Sequence, residues 1–356
     1  MSVSSPPENE ATAIALLHAA RRLIRGRTRV PAYWAAADRL SALWLGVPLH
    51  APSEFLLAAA PDLGASLDSL YDEAMLAPDA LEALPGLTRR LQEMLEPEAA
   101  SRVLKRYEAG LPEVDLLEAT RVLLATLTTQ GYAALHTRGS PRLAFRWLAA
   151  WAEAVGAHDL QQQRVCGLGL LARLPPEERR PALARLGLTS EALIPRGTSF
   201  SEGVTEYLER YGDTGAASMA VLGTLAFSTL PAEEVEALLE LCVGEAGLLR
   251  HLSGLFRLAQ DVSFDPTEPL NAGVYASAAE QRRSVLEIIS DGKFSKPELD
   301  ARLREAWTLQ STRTRGALEA LLASRGQGLG AATLATWLQA LFQVLAKLVP
   351  GTWKTE

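Results

Sequence analysis

The sequence predicts an all-α protein, a helical bundle of about a dozen helices. Three observations carry that expectation. Ala, Leu, Glu and Arg are in surplus, and aromatic residues make up 6% of the 356 positions, a balance that favours helix over a β-sandwich. Apolar residues recur at helical spacing, and no stretch alternates apolar and polar residues as a half-buried strand does. Prolines, glycines and capping residues fall where helices start and stop.

Taken in order, residues 11–25 form a helix with a basic end (Arg21, Arg22, Arg25), as the helix dipole favours. Residues 31–45 follow with Trp34 and Trp44, and Pro48 and Pro52 frame a loop. Ser53-Glu54 starts a short helix, and residues 66–75 form another. Pro78-Asp79 and Pro85-Gly86 interrupt the chain before a helix over 87–95, and residues 98–109 run to a stop at Gly110 and Pro112. Residues 116–135 (LLEATRVLLATLTTQGYAAL) carry only Glu118 and Arg121 as charges. A helix this apolar on most faces runs through the middle of a domain. Glu113, Asp115 and Glu118 open it, where acids complement the dipole and cap the end.

Residues 142–155 follow with Trp147 and Trp151 at i, i+4, and residues 158–174 contain a polar run from Asp159 to Arg164. Residues 175–197 read as a charged connection with a short helix. Residues 205–227 form a long helix rich in small residues, which permit close approach of a helix or ligand. Pro231 opens a helix over 233–260, ended by Pro266 and Pro269. Helices over 278–289, 296–323 and 331–349 complete the set; in the last, Thr336, Gln339, Gln343 and Lys347 form a polar stripe.

The charge and cysteine counts exclude several classes. A net charge of −7 without a dense basic stripe argues against nucleic acid as a partner. Two cysteines make neither a disulfide framework nor a zinc knuckle. No apolar run is long enough for a membrane span. Residues 1–10 read as a disordered lead-in and not as a signal peptide, which places the protein in the cytoplasm.

The familiar loops of nucleotide, zinc and serine-hydrolase sites are missing, and the five histidines are scattered. Asp68 and Asp72, at i, i+4, have the spacing of a shared divalent cation, but a solvated face of a short helix is the commoner account of such a pair. The most informative stretch is 254–272, GLFRLAQDVSFDPTEPLNA, where Gln260, Asp261, Asp265 and Glu268 gather at the end of an apolar helix. Acids there oppose the helix dipole, which draws attention to them.

RLAQD, an acid at Glu268 and then Leu270-Asn271-Ala272 resemble the second metal motif of class I terpene synthases. Members there read R-L-x-N-D, then Ser or Thr, then Glu, then L-N-A. Gln260 stands at the Asn, Phe264 at the hydroxyl and Glu268 at the Glu, so Glu268 alone keeps the family's ligand type. EYLERYGDTG, from Glu206, resembles the helix that breaks near the substrate and supplies a diphosphate-sensing arginine; Tyr211 falls at its place, beside Arg210. The apolar central helix lies where the family carries DDxxD, and its window, Thr128-Thr129-Gln130-Gly131-Tyr132, holds no acid. FRLAQDVSFD is also loosely similar to the second aspartate motif of trans-prenyltransferases.

The resemblance spans residues 113–348 and implies the isoprenoid synthase fold. It divides the chain into a lead-in (1–10), an N-terminal helical segment (11–112), a terpenoid-synthase-like helical domain (113–349) and a tail (350–356). It implies an isoprenoid diphosphate, or another apolar small molecule, as ligand, and Mg²⁺ as cofactor. An atypical site would use Asp261, Asp265 and Glu268 for metal, with Arg257, Arg210, Tyr211, Arg313 and Arg315 for the diphosphate. Ionisation or cyclisation of a prenyl diphosphate is the implied chemistry. The alternative is a non-catalytic helical scaffold acting through a second copy or a partner protein.

Overall fold

The computed structural model describes residues 10–27, 51–76, 79–107, 115–186, 216–243, 248–263 and 295–325. Among these, every regular element is helical, as the sequence predicts. In chain order they are α1 (Glu10–Arg27), α2 (Ala51–Leu76), α3 (Ala80–Gln92), α4 (Pro97–Arg106), α5 (Leu116–Arg138), α6 (Pro141–Arg173), α7 (Pro176–Arg185), α8 (Ala216–Phe227), α9 (Ala232–Val243), α10 (Leu248–Ser263) and α11 (Lys296–Arg325). A 3₁₀ turn, Glu93–Leu95, joins α3 towards α4. No helix of the described residues is long and apolar enough to cross a membrane. The helices expected over 31–45, 278–289 and 331–349 lie outside the described residues.

The apolar helix α5 is the axis of the packing, in contact with α1, α2, α4, α6 and α8. Asp115 caps it, its Oδ1 accepting from the Glu118 amide at 2.8 Å. Thr120, Thr126 and Thr129 are buried on it, and each returns its hydroxyl proton to a carbonyl one turn back, on Leu116, Val122 and Ala125. These bonds let a helix without a polar face sit inside a core. At its other end the Arg138 guanidinium donates to the carbonyls of Leu225, Ala226 and Ser228, at and just after the C-terminus of α8.

Two expected breaks are absent. The short helices expected from Ser53 and Ser66 are one helix, α2, running through Pro61. The helix expected from Leu87 starts at Ala80 and runs through Pro85-Gly86. A proline inside a helix costs about 3 kcal/mol. In α2 that cost is offset by burial of Ala59, Ala60, Leu63, Leu67 and Leu70, each leucine contributing about 2 kcal/mol. Likewise the helices expected over 142–155 and 158–174 are a single α6 of 33 residues. Gly156, between them, remains helical. Within the span 233–260, read as one helix, the structure describes two, α9 and the start of α10.

Arg21 and Arg25 of α1 reach Asp62 on α2, which is fully buried. The basic end of α1 is thus an interhelical contact and not simply a complement to its dipole. At the other side of the bundle α11 packs along α10, which also meets α8 and α9.

Candidate functional site

The window that the sequence likeness aligns with an aspartate-rich motif lies near the middle of α5, facing α6 and α8. Thr128 is fully buried and its Oγ1 accepts from the Trp151 indole Nε1 at 3.0 Å. Trp147 donates its own Nε1 to the Leu222 carbonyl of α8 at 2.8 Å. The two indoles stack, with centroids 5.4 Å apart and planes 14° from parallel. Gly131 lies directly against Trp147: a Cβ there would come within 2.3 Å of its ring. Tyr132 is buried and meets His136 and Phe145 edge to face or tilted.

This arrangement has consequences for chemistry. A magnesium site requires carboxylate or water oxygens converging on an open position. Here no carboxylate is present, the Thr128 and Thr129 hydroxyls are committed to hydrogen bonds, and the space over Gly131 is filled by the Trp147 indole. The α5 window does not fit a metal. Thr128→Val removes the acceptor of Trp151 Nε1 without changing volume much. The expected loss is about 1–2 kcal/mol in urea unfolding, since the indole N–H stays buried without its partner.

Of the second motif, Arg257, Gln260 and Asp261 lie on the last two turns of α10, whose Leu252, Ser253, Gly254, Leu255 and Leu258 are buried. Asp265 and Glu268 lie outside the described residues, as do Arg210 and Tyr211. Arg313 and Arg315 are exposed on α11. Burial, followed by the charges of Arg313 and Arg250, holds the His251 imidazole below its ordinary range. Arg313 therefore neighbours the first turns of α10, about 15 Å along the helix from Asp261 at 1.5 Å per residue. Gln310, one turn before, donates to the His251 carbonyl at 3.2 Å and covers Gly254. Asp68 and Asp72 fall on α2 one turn apart. No group of three or more His, Cys, Asp or Glu side chains converges as a metal site among the described residues.

A second polar centre lies where α2, α3 and α6 meet. Tyr71 of α2 donates its hydroxyl proton to Asp159 Oδ1 of α6, and its oxygen lies 2.7 Å from Thr88 Oγ1 of α3. Because the Tyr71 proton goes to Asp159, Thr88 is the donor in that second bond. Asp159 is 1% exposed, and its Oδ2 has no hydrogen-bond partner among the described residues. Burial, reinforced by Asp159, pushes the Tyr71 phenol far above its ordinary value. Burial pushes the Asp159 carboxyl up to about 6, against the opposing effect of the neighbouring Tyr71 and Thr88 hydroxyls. Next to it His158 sits 3.4 Å from the Gly64 carbonyl, Gln163 donates to the Leu186 carbonyl, and both amide atoms of Gln161 are buried without a partner among the described residues. The signal for this centre is the polar run from His158 to Gln163 within a long helix; its partners, Tyr71 and Thr88, are far away in the chain.

The chain has no match among protein-family models, curated proteins or solved structures.

Proposed function

We propose that this chain is a non-catalytic, cytoplasmic helical protein that acts by binding, through a second copy of itself or a partner protein. One observation carries the reading: the middle of its most central helix, at Thr128–Tyr132, is sealed by Trp147 and Trp151. A class I ionisation site must neutralise a leaving group bearing about three negative charges. A glycine under an indole and a bonded threonine supply nothing for that.

The likeness at residues 257–272 favours a second reading, an atypical terpene synthase-like protein. In it an isoprenoid diphosphate is bound or ionised using Arg257, Arg210, Tyr211, Arg313 and Arg315, with Mg²⁺ on Asp261, Asp265 and Glu268. Incubation with geranyl, farnesyl and geranylgeranyl diphosphates, with and without Mg²⁺, separates the two. Non-catalytic binding predicts that diphosphate release stays at the no-protein rate for all three. Mg²⁺-dependent release that disappears in Asp261→Ala and Glu268→Ala would establish the second reading and end the first.

A further inference from the structure

Among the described residues two aspartates are buried, and they are treated in opposite ways. Asp62 is held between two arginines, Arg21 and Arg25. Asp159 is equally enclosed, yet its hydrogen-bond partner is a phenol, and its second oxygen meets no donor among the described residues. A buried carboxylate without a cation is costly when ionised and acceptable when it carries a proton.

We propose that Asp159 is a proton-operated latch at the junction of α2, α3 and α6, tightening that junction when protonated and loosening it when ionised. With Asp159 ionised, the hydrogen-bond chain runs one way: Thr88 donates to Tyr71, and Tyr71 donates to Asp159. With a proton on Oδ1 the chain reverses. Asp159 donates to the Tyr71 oxygen, and Tyr71 donates to Thr88, so every hydroxyl remains used and no net charge stays in the core. The network spans three helices, so its strength sets how firmly α3 is held against α2 and α6.

Among the described residues no cation pairs with the Asp159 carboxyl. From α2 the titratable group meeting Asp159 is Tyr71, and α3 contributes the neutral hydroxyl of Thr88, bonded to Tyr71. Glu82, Arg89 and Arg90 of α3 are exposed. On α6, His158 lies against Gly64, and Cys166 acts on Tyr71. Of the other helices packed on α6, α8 contains no charged residue. Arg121 and Glu118 of α5 pair with each other, and Arg138 caps α8. On α7, Arg185 pairs with Glu82 in solvent, and on α9, Glu236 and Glu240 pair with Arg146.

The sign follows from the carboxyl's shift from 3.8 to about 6 on folding. The folded chain holds the proton more tightly, so its contribution to stability is complete below about pH 4 and is lost as pH rises through 6. Urea unfolding of the wild type and Asp159→Asn between pH 4 and 8 tests it. The ratio of their unfolding constants is expected to change on the order of a hundredfold, about tenfold per pKa unit, with the loss falling on the wild type. Amide protection in α3, corrected for intrinsic exchange, falls over the same interval in the wild type alone. Parallel pH profiles would overturn the proposal. If Asp159→Asn does not fold, carboxyl ¹³C titration of aspartate-labelled wild type and Tyr71→Phe reads the same group. One aspartate titrating near pH 6, and higher in Tyr71→Phe, supports the latch; every aspartate titrating near or below 4, or a midpoint unmoved by Tyr71→Phe, overturns it.

Discussion

Gly131→Ala is expected to destabilise the protein by about 3 kcal/mol, at the upper end of what a single added methyl does to a packed core. The added Cβ would lie 2.3 Å from the Trp147 ring, and the ring has nowhere to go. Its face is stacked on Trp151 and its Nε1 is fixed to the Leu222 carbonyl. The same substitution at Gly156 on α6 provides the contrast. A Cβ there meets nothing within 4 Å, so Gly156→Ala is expected to raise stability by about 0.5–1 kcal/mol through helix propensity. Chemical denaturation of the two variants reads both numbers. A double-mutant cycle with Trp147→Phe locates the strain, because the smaller ring returns part of what Gly131→Ala takes away. Equal effects at the two glycines, or additivity with Trp147→Phe, would show that α5 and α6 do not meet as described.

Asp62→Asn is the second large effect, an expected loss of about 3 kcal/mol at neutral pH. The carboxylate is fully buried and accepts from Arg21 Nε and, at 3.0 Å, from Arg25 Nη2. The asparagine keeps the shape but removes the charge that balances a guanidinium in the interior. Arg25 is about a third exposed and water offsets part of its loss, whereas Arg21 is mostly enclosed. Arg146→Ala measures the contrast on the surface. Its pairs with Glu236 and Glu240 are exposed, and their removal is expected to cost under about 1 kcal/mol. Thermal unfolding at low and moderate salt distinguishes the two, since salt weakens the exposed pairs far more than the buried one.

The central helix was the most legible part of this sequence. Residues 116–135 are too apolar for a surface helix, and α5 indeed occupies the axis of the packing. The capping role of Asp115 also follows from its position before the first apolar turn. Local punctuation misled where tertiary burial outweighs it. Pro85-Gly86 reads as an interruption, and residues 53–75 read as two helices, yet the faces there are buried deeply enough to carry each helix through. Gly156 looks like a boundary for the same reason and is the inside of α6.

The polar centre was legible in part. Asp159, Gln161, Gln162 and Gln163 spread over more than half the circumference of α6, so periodicity alone marks no narrow inward face. All four are nevertheless buried. Their partners on α2, α3 and the end of α7 are set by packing, which no local pattern states. The family likeness rests on residues of two kinds. At Thr128–Tyr132 the structure shows what fills the place of the first motif. Asp265, Glu268, Arg210 and Tyr211 belong to stretches outside the described residues.

Hydrogen exchange along α5, with and without farnesyl diphosphate and Mg²⁺, tests the sealed core most directly. A core closed by Trp147 and Trp151 predicts that amides of residues 126–132 exchange only through global unfolding, with protection equal to the full stability of the fold and unchanged by the ligand. Exchange of these amides through a local opening, or extra protection specific to them when the diphosphate and metal are added, would contradict it.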